Sequence, residues 1–132
     1  MKLEQVKLID IPVIREPRGN LAVVEQLRDI PFEIARSYWL FDIPAGSHRG
    51  GHAHKRLQQF MIALSGSFDV ILDDGKERKT ITLNRPDRGL YLPTGIWREL
   101  DNFSAGAVCL VLASEPYDEA EYIRDYNEFL RS

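Results

Sequence analysis

The sequence predicts an all-β domain, folded as a closed barrel or a jelly roll and carrying one C-terminal helix. Two observations support this prediction: about eight short apolar runs follow one another at close spacing, and turn-forming residues separate them. A chain of 132 residues can bury a core of its own, so we expect a single domain over residues 1–132.

The strands are assigned from short apolar runs that are too brief for helices. The predicted strands are Leu3–Ile9, Asn20–Gln26, Ile34–Phe41, Gln59–Leu64, Ser67–Leu72, Arg78–Leu83, Gly89–Leu92 and Ala107–Ala113. Between two of them, the Asp-Gly pair formed by Asp74 and Gly75 is typical of a tight hairpin.

One helix is predicted near the C-terminus. Asp118 is a suitable N-cap, and Glu121 follows three residues later as in a capping box. Apolar side chains then recur at helical spacing at Tyr122, Ile123, Tyr126, Phe129 and Leu130. We expect this stripe to dock on the barrel, and a partner-binding helix is the alternative.

Composition and charge exclude several classes of function. The net charge of −3 offers no basic excess for general nucleic-acid binding. The longest apolar run, Ala107 to Ala113, is far too short to span a membrane, and residues 1–10 contain no signal-peptide core. Cys109 is the one cysteine, so no intrachain disulfide is possible and a reducing, cytoplasmic location is expected.

Three histidines lie within seven residues, at His48, His52 and His54. Residues i and i+2 of a strand share a face, so His52 and His54 are expected to enter the same space. A pair of solvent-facing histidines is the alternative, and the residues around the pair argue against it.

The spacing around the histidines forms two motifs. Gly46 to Gly66 reads G-x5-H-x-H-x4-Q-x6-G, and Pro93 to Asn102 reads P-x-G-x2-R-x3-N. Both resemble the cupin motifs, and this resemblance implies a jelly-roll barrel, the double-stranded β-helix. Gln59 stands where cupins usually place a metal-binding glutamate, and Arg98 where they place the last histidine. A permanent guanidinium cation repels a divalent metal, so we expect no metal site.

Further polar residues are candidates for the same pocket. Arg36 and Tyr38 share a strand face, with Ser37 and Trp39 facing the other way. Arg49 lies just before the histidine pair, and Arg18 sits in a Pro-Arg-Gly turn. Together with Arg98, these arginines would form a pocket that suits a diphosphate ligand. A histidine that is neutral near pH 7 is suited to act as a general base.

Segments along nearly the whole chain resemble one family, the dTDP-4-keto-6-deoxyglucose 3,4-ketoisomerases of bacterial deoxysugar synthesis. The segments are Arg18–Leu21, Ile30–Phe32, Arg36–Tyr38, Phe41–Asp42, Arg49–Lys55, Val70–Gly75 and Tyr117–Arg124. The resemblance implies an isomerase that moves the keto group from C4 to C3 of a dTDP-linked 4-keto-6-deoxyhexose, with no metal or other cofactor. It also implies a homodimer in which N-terminal strands extend the partner's sheet.

The resemblance implies roles for the candidate residues. His52 is the expected base, His54 shuttles a proton or orients the sugar, and Tyr38 donates to the developing oxyanion. Gln59 and the arginines are expected to bind substrate. Because family members differ at the positions of Arg18 and Arg98, either configuration of the product at C4 is compatible with the sequence.

Three other functions stay open at this stage. A dTDP-sugar 3,5-epimerase would also use a histidine base without metal, but such chains are usually longer and lack this R-G-x-H-A-H run. A non-catalytic cupin would bind a sugar nucleotide without turnover. A metal-dependent cupin enzyme would contain a stoichiometric transition metal.

Overall fold

The computed structural model describes residues 2–132, so Met1, the first residue of the predicted domain, lies outside the described residues. Strands account for most of the regular structure. They are β1 Lys7–Asp10, β2 Val13–Ile14, β3 Leu21–Ala22, β4 Arg36–Leu40, β5 Arg49–His54, β6 Gln59–Ser65, β7 Phe68–Asp73, β8 Arg78–Leu83, β9 Arg88–Leu92, β10 Trp97–Asp101, β11 Val108–Ala113 and β12 Tyr122–Ile123. Short 3-10 helices span Lys2–Gln5 and Glu119–Glu121, and the helix α1 spans Tyr126–Arg131.

The strands form two antiparallel sheets. One has the order β1-β9-β6-β11-β4, and the other has the order β12-β5-β10-β7-β8. Strands β2 and β3 pair only with each other in the described part of the chain, as a small ribbon. The predicted all-β jelly-roll class with a C-terminal helix is confirmed, because from β4 to β12 successive strands alternate between the two sheets, apart from the β7–β8 hairpin.

Apolar side chains fill the space between the sheets. Every second residue of β7 is fully buried, at Phe68, Val70 and Leu72, as expected for a strand with one face toward a core. They pack with Leu90 and Leu92 of β9 in one cluster. Because this cluster occupies one part of the interior, polar residues elsewhere between the sheets can line an opening.

The C-terminal helix was predicted too long. Asp118 does act as a cap, but it caps only the 3-10 turn Glu119–Glu121, and α1 begins after a second cap at Asp125. The residues between them form β12, in which Tyr122 pairs with His54. Backbone pairing to β5 is available only in the folded chain, and it takes precedence over the local helix signal.

The helix does dock as expected. Phe129 is buried and packs with Trp97, Ala53 and Ile123. Leu130, which was assigned to the same apolar stripe, is 47% exposed. The stripe is therefore narrower than the sequence pattern indicated.

Most strand predictions agree with the structure within one or two residues, and two are wrong in extent. The run Leu3–Ile9 divides into a 3-10 turn and β1, and Asn20–Gln26 contributes only the two residues of β3. Within residues 2–132, no helix is long and apolar enough to cross a membrane.

Candidate active site

A cavity of about 390 Å³ opens between the two sheets. Sheet β1-β9-β6-β11-β4 contributes side chains from β4, β6 and β11, and the other sheet contributes side chains from β5, β10 and β12. The lining residues are Arg36, Tyr38, Leu40, Arg49, Gly50, His52, Gln59, Met61, Arg98, Leu100, Val111, Tyr122 and Arg124. The structure thus brings together six of the eight predicted site residues in one lining.

A bulge in β5 determines which side chains of that strand reach the cavity. His52 pairs with Arg98 of β10, but the next pair is Gly50 with Glu99, so Gly51 is the extra residue. Both glycines have positive φ, of 85° and 84°, and a Cβ at Gly50 would lie 3.0 Å from the Arg98 carbonyl oxygen. Glycine is therefore required here. The bulge shifts the alternation of faces, so Arg49 joins His52 at the cavity.

The two histidines of the pair have different positions. His52 lines the cavity, whereas His54 is fully buried behind it. Their ring centroids are 4.8 Å apart, and the ring of Tyr122 lies 5.1 Å from His52 and 4.4 Å from His54. Both ring nitrogens of His54 lack a hydrogen-bond partner among the described residues. His52 is therefore the histidine placed to contact a ligand in this cavity.

Burial and nearby cations keep both imidazoles neutral. Burial, reinforced by Arg98 and Arg124, lowers the pKa of His52 to about 3. Burial, Arg98 and His52 lower the pKa of His54 to about 2. A neutral imidazole has one nitrogen free to accept a proton, so His52 is in the form that a general base requires.

Gln59, Arg98 and Tyr38 form a hydrogen-bonded chain on the cavity wall. Arg98 is 2% exposed and donates to the Ile96 carbonyl from Nε at 3.1 Å and from Nη2 at 2.9 Å. Its Nη1 donates to Gln59 Oε1, and Gln59 Nε2 donates to Tyr38 Oη at 2.9 Å. Burial raises the pKa of Tyr38, so its hydroxyl keeps its proton at neutral pH.

The lining is strongly cationic. It contains four arginines and, among the described residues, no carboxylate. Arg36 stacks on the rings of Tyr38 and Tyr117, at 5.3 and 5.6 Å from their centroids. Its Nε and Nη2 have no hydrogen-bond partner in the described part of the chain. Unpaired guanidinium donors beside a cavity suit a phosphate or carboxylate ligand.

Two polar residues of the lining, Tyr122 and Arg124, were not predicted as site residues. Tyr122 was assigned to the apolar stripe of the helix, and Arg124 was not considered as a site residue. The Arg124 guanidinium lies 4.3 Å from the Tyr122 ring centroid, and its Nε donates to Glu119 at 2.7 Å. The available signal was the strand-like spacing of Tyr122 and Arg124, which the capping pattern before them obscured.

Two predicted site residues lie outside the lining. His54 is behind His52, as described above. Arg18 lies in the turn between β2 and β3, and its side chain is 89% exposed and pairs with Glu16 at 2.8 Å. Arg18 therefore lies away from the cavity of its own chain, because the β2–β3 ribbon pairs with neither of the larger sheets.

The donor set does not fit a divalent metal. Among the described residues, no group of three or more histidine, cysteine or carboxylate side chains is placed to hold a metal ion. The Gln59 carbonyl already accepts from Arg98, and the guanidinium is a fixed cation where a ligand would be needed.

Comparisons with known proteins identify the family of this chain. The family model described as "FdtA: WxcM-like, C-terminal" matches residues 4–132. A TDP-4-oxo-6-deoxy-alpha-D-glucose-3,4-oxoisomerase of Aneurinibacillus thermoaerophilus is 46% identical over 123 residues, which cover 93% of this chain and 88% of the relative.

Solved structures of sugar 3,4-ketoisomerases are also similar to this chain in sequence and in fold. The TDP-quinovose 3,4-ketoisomerase WlaRB of Campylobacter jejuni is 51% identical, with a TM-score of 0.94 and coverage of 98% of this chain and 99% of its own. The sugar 3,4-ketoisomerase QdtA of Thermoanaerobacterium thermosaccharolyticum, solved with TDP, is 43% identical, with a TM-score of 0.95 and coverage of 98% and 94%. A histidine-to-asparagine mutant of QdtA was solved with TDP-4-keto-6-deoxyglucose. A 4-keto-6-deoxy sugar epimerase, NovW, is only 20% identical at a TM-score of 0.77 and shares the fold alone.

Proposed function

The chain belongs to the WxcM-like FdtA family, and on that premise we propose that it is a sugar-nucleotide 3,4-ketoisomerase acting on TDP-4-keto-6-deoxyglucose. One observation carries the proposal: a neutral imidazole, His52, lines a cavity that also holds a protonated tyrosine and four arginines. That combination supplies a base, an oxyanion donor and an anion-binding wall.

The reaction is an exchange of protons within the sugar. His52 removes the proton from C3, and the C3–H electrons form a C3–C4 double bond while the ketone oxygen on C4 becomes an oxyanion. The C4 oxyanion takes up the proton that the C3 hydroxyl loses, a proton is delivered to the C4 carbon, and the C3 oxygen becomes the new ketone beside a C4 hydroxyl. Hydrogens and electrons balance within the substrate, so the reaction needs no external oxidant or reductant.

The other lining residues stabilise charge in this scheme. Tyr38 donates its hydroxyl proton in a hydrogen bond to the oxyanion on C4, which is worth most where water is excluded. Arg36 and Arg49 bind the diphosphate, and Arg36 has unpaired donors for it. A bound diphosphate also offsets the cations that lower the pKa of His52, and so it strengthens the base in the complex.

The test is turnover of TDP-4-keto-6-deoxyglucose in D2O, followed by NMR. We expect a 3-keto product with deuterium at C4. The same reaction in H2O retains the C4 proton, whose coupling to the C5 proton reports the configuration. Deuterium entering at C5 would instead indicate a 3,5-epimerase. Binding of the nucleotide sugar without turnover would indicate a non-catalytic cupin and would refute the proposal.

We also propose that the protein is a homodimer. Large apolar side chains cluster on the outer face of sheet β1-β9-β6-β11-β4, where Trp39 is 56%, Phe41 59% and Leu64 45% exposed. Contiguous exposed apolar surface of this kind marks interaction sites. Trp39→Lys should shift the mass measured by light scattering toward the monomer. Thr80→Lys, an exposed position on the other sheet, is the control that should leave the mass unchanged.

In this dimer, we propose that Arg18 serves the partner's cavity. The ribbon that carries Arg18 exposes Ile14 and Leu21, at 59% and 54%, which gives it apolar surface to bury against a second copy. Mixing inactive Arg18→Ala and His52→Asn subunits tests this directly. Heterodimers should regain activity if Arg18 acts across the interface, whereas no recovery after subunit exchange would assign Arg18 to its own chain or to no catalytic role.

A further inference from the structure

Gln59 links Arg98 to Tyr38 through hydrogen bonds that run in one direction. The side chain of Gln59 is 1% exposed, so its amide has no access to bulk water. It accepts from Arg98 Nη1 at Oε1 and donates from Nε2 to Tyr38 Oη at 2.9 Å. Gln59 was predicted to bind substrate, and in the structure each end of its amide also makes one hydrogen bond to a protein group.

Arg98 determines the donor-to-acceptor direction of this series of hydrogen bonds. A guanidinium has donors and no acceptor, so the Gln59 amide must present its oxygen to Arg98 and its NH2 to Tyr38. Arg98 is itself buried and held in place by two hydrogen bonds to the Ile96 carbonyl. Tyr38 Oη therefore accepts from Gln59, and its own proton is left for another acceptor.

The hydroxyl proton of Tyr38 is available for a hydrogen bond to a ligand in the cavity. Tyr38 lines the cavity beside His52, and no protein acceptor for its hydroxyl is found among the described residues. Because Gln59 is a donor to this oxygen and not an acceptor, the O–H bond of Tyr38 is left to turn toward a ligand. A ketone oxygen that becomes an oxyanion is the acceptor the proposed reaction provides.

We propose that Gln59 is a positioning residue that makes Tyr38 a hydrogen-bond donor to the substrate's ketone oxygen, with Arg98 fixing its orientation. This inference rests on the proposed ketoisomerase activity. It explains why an uncharged amide stands at this position: a carboxylate would accept from Arg98 and from Tyr38 alike, and would hold the tyrosine proton away from the cavity.

Gln59→Glu tests the direction of these hydrogen bonds. The substitution replaces the NH2 group that donates to Tyr38 by an oxygen that can only accept, with almost no change in side-chain shape. The new carboxylate pairs with Arg98, so the melting temperature should not fall. We expect kcat to fall on the order of 10²-fold, as for loss of one oxyanion donor, with little change in KM. Tyr38→Phe should give a similar loss, and the double variant should add little to either single one.

Two further variants separate polarity from packing. Gln59→Ala removes the amide and frees Tyr38, so it should be less stable than Gln59→Glu yet retain more activity. Gln58→Glu is the matched control, because Gln58 lies outside the lining and already accepts from Tyr91 Oη at 2.6 Å. The same chemical change there leaves the direction of the hydrogen bond unaltered, and kcat should stay at the wild-type value.

A second measurement does not depend on turnover. With Tyr38 replaced by a fluorinated tyrosine, fluorine NMR follows the titration of its hydroxyl. Gln59→Glu should raise that pKa by about one unit or more, because a carboxylate disfavours the phenolate. An unchanged pKa would overturn the inference even if the wild-type protein proved inactive.

The kinetic outcomes are equally decisive. Wild-type-like kcat in Gln59→Glu or in Tyr38→Phe would overturn the inference, as would losses in the two variants that multiply in the double variant. If the wild-type protein does not isomerise the 4-keto sugar, the proposed function fails, and the titration alone then decides whether Gln59 orients Tyr38.

Discussion

Replacing His52 by asparagine tests the contribution of the proposed base separately from that of the other site residues. Asparagine keeps hydrogen-bonding capacity and approximate size but takes up no proton near pH 7. Burial and nearby cations lower the pKa of His52 to about 3, so at pH 7 its imidazole is neutral in the free enzyme and able to accept a proton. The substitution removes that proton acceptor.

The expected loss follows from the role of a general base. Such a group contributes on the order of 10²–10⁴ in rate, so kcat for His52→Asn should fall at least about a hundredfold. Affinity for TDP should change little, because the arginines and not His52 hold the diphosphate. Single-turnover NMR in D2O measures kcat and C3 exchange together, and calorimetry with TDP measures affinity.

Two other histidines supply controls within the same chain. His48 lies outside the cavity lining and pairs with Glu99 at 2.9 Å, so His48→Asn should keep wild-type turnover. His54 is fully buried behind His52, so His54→Asn should reduce kcat less severely. Retained C3 exchange in His52→Asn, together with lost exchange in His54→Asn, would show that the base is assigned to the wrong histidine.

Three more predictions follow from charge and burial. Because the pKa of His54 is lowered to about 2 in the folded protein, the unfolded chain binds the extra proton below pH 6.5. Stability should therefore fall from pH 7 to pH 5 by up to about 1.4 kcal/mol per unit below 6.5, and urea unfolding of His54→Asn should show a smaller fall. The buried Glu121 carboxylate accepts the backbone N–H groups of Arg56 at 2.7 Å and Leu57 at 2.9 Å. Glu121→Ala should cost about 1–3 kcal/mol in the same assay, whereas the exposed Glu128→Ala should cost much less. Prolonged EDTA treatment should leave turnover unchanged, since the donor set suits an oxyanion better than a metal; loss of activity restored by one specific metal would contradict this.

Local sequence patterns predicted most strands of the two large sheets and part of the site, but not β2, β10 or β12. Strand alternation placed Arg36 and Tyr38 on one face and Trp39 on the other, as the structure confirms. The motif spacing also brought Gln59 and Arg98 into one cavity with His52. These predictions succeed because side-chain direction in a regular strand depends on the strand alone.

The errors arise where that regularity ends. The pattern after Asp118 resembles a helix start, yet pairing with β5 makes a strand of Tyr122 and brings it against both histidines. That pairing depends on which strand lies alongside and has no signal in the local sequence. Arg49 was predicted at the pocket from its place next to the histidine pair, and it lies there because of the bulge at Gly51, since strand alternation alone would put residues 49 and 52 on opposite faces.

By itself, the sequence determined the all-β class, the cavity-facing residues of regular strands and the family, because periodicity and motif spacing are properties of the chain. Only the tertiary structure decided that His54 stands behind His52, that Arg124 joins the lining and that Arg18 does not. It also decided the direction of the hydrogen bonds through Gln59. The physical reason is that burial, cross-strand pairing and hydrogen-bond polarity depend on residues distant in sequence, whose positions exist only once the sheets have closed around the cavity.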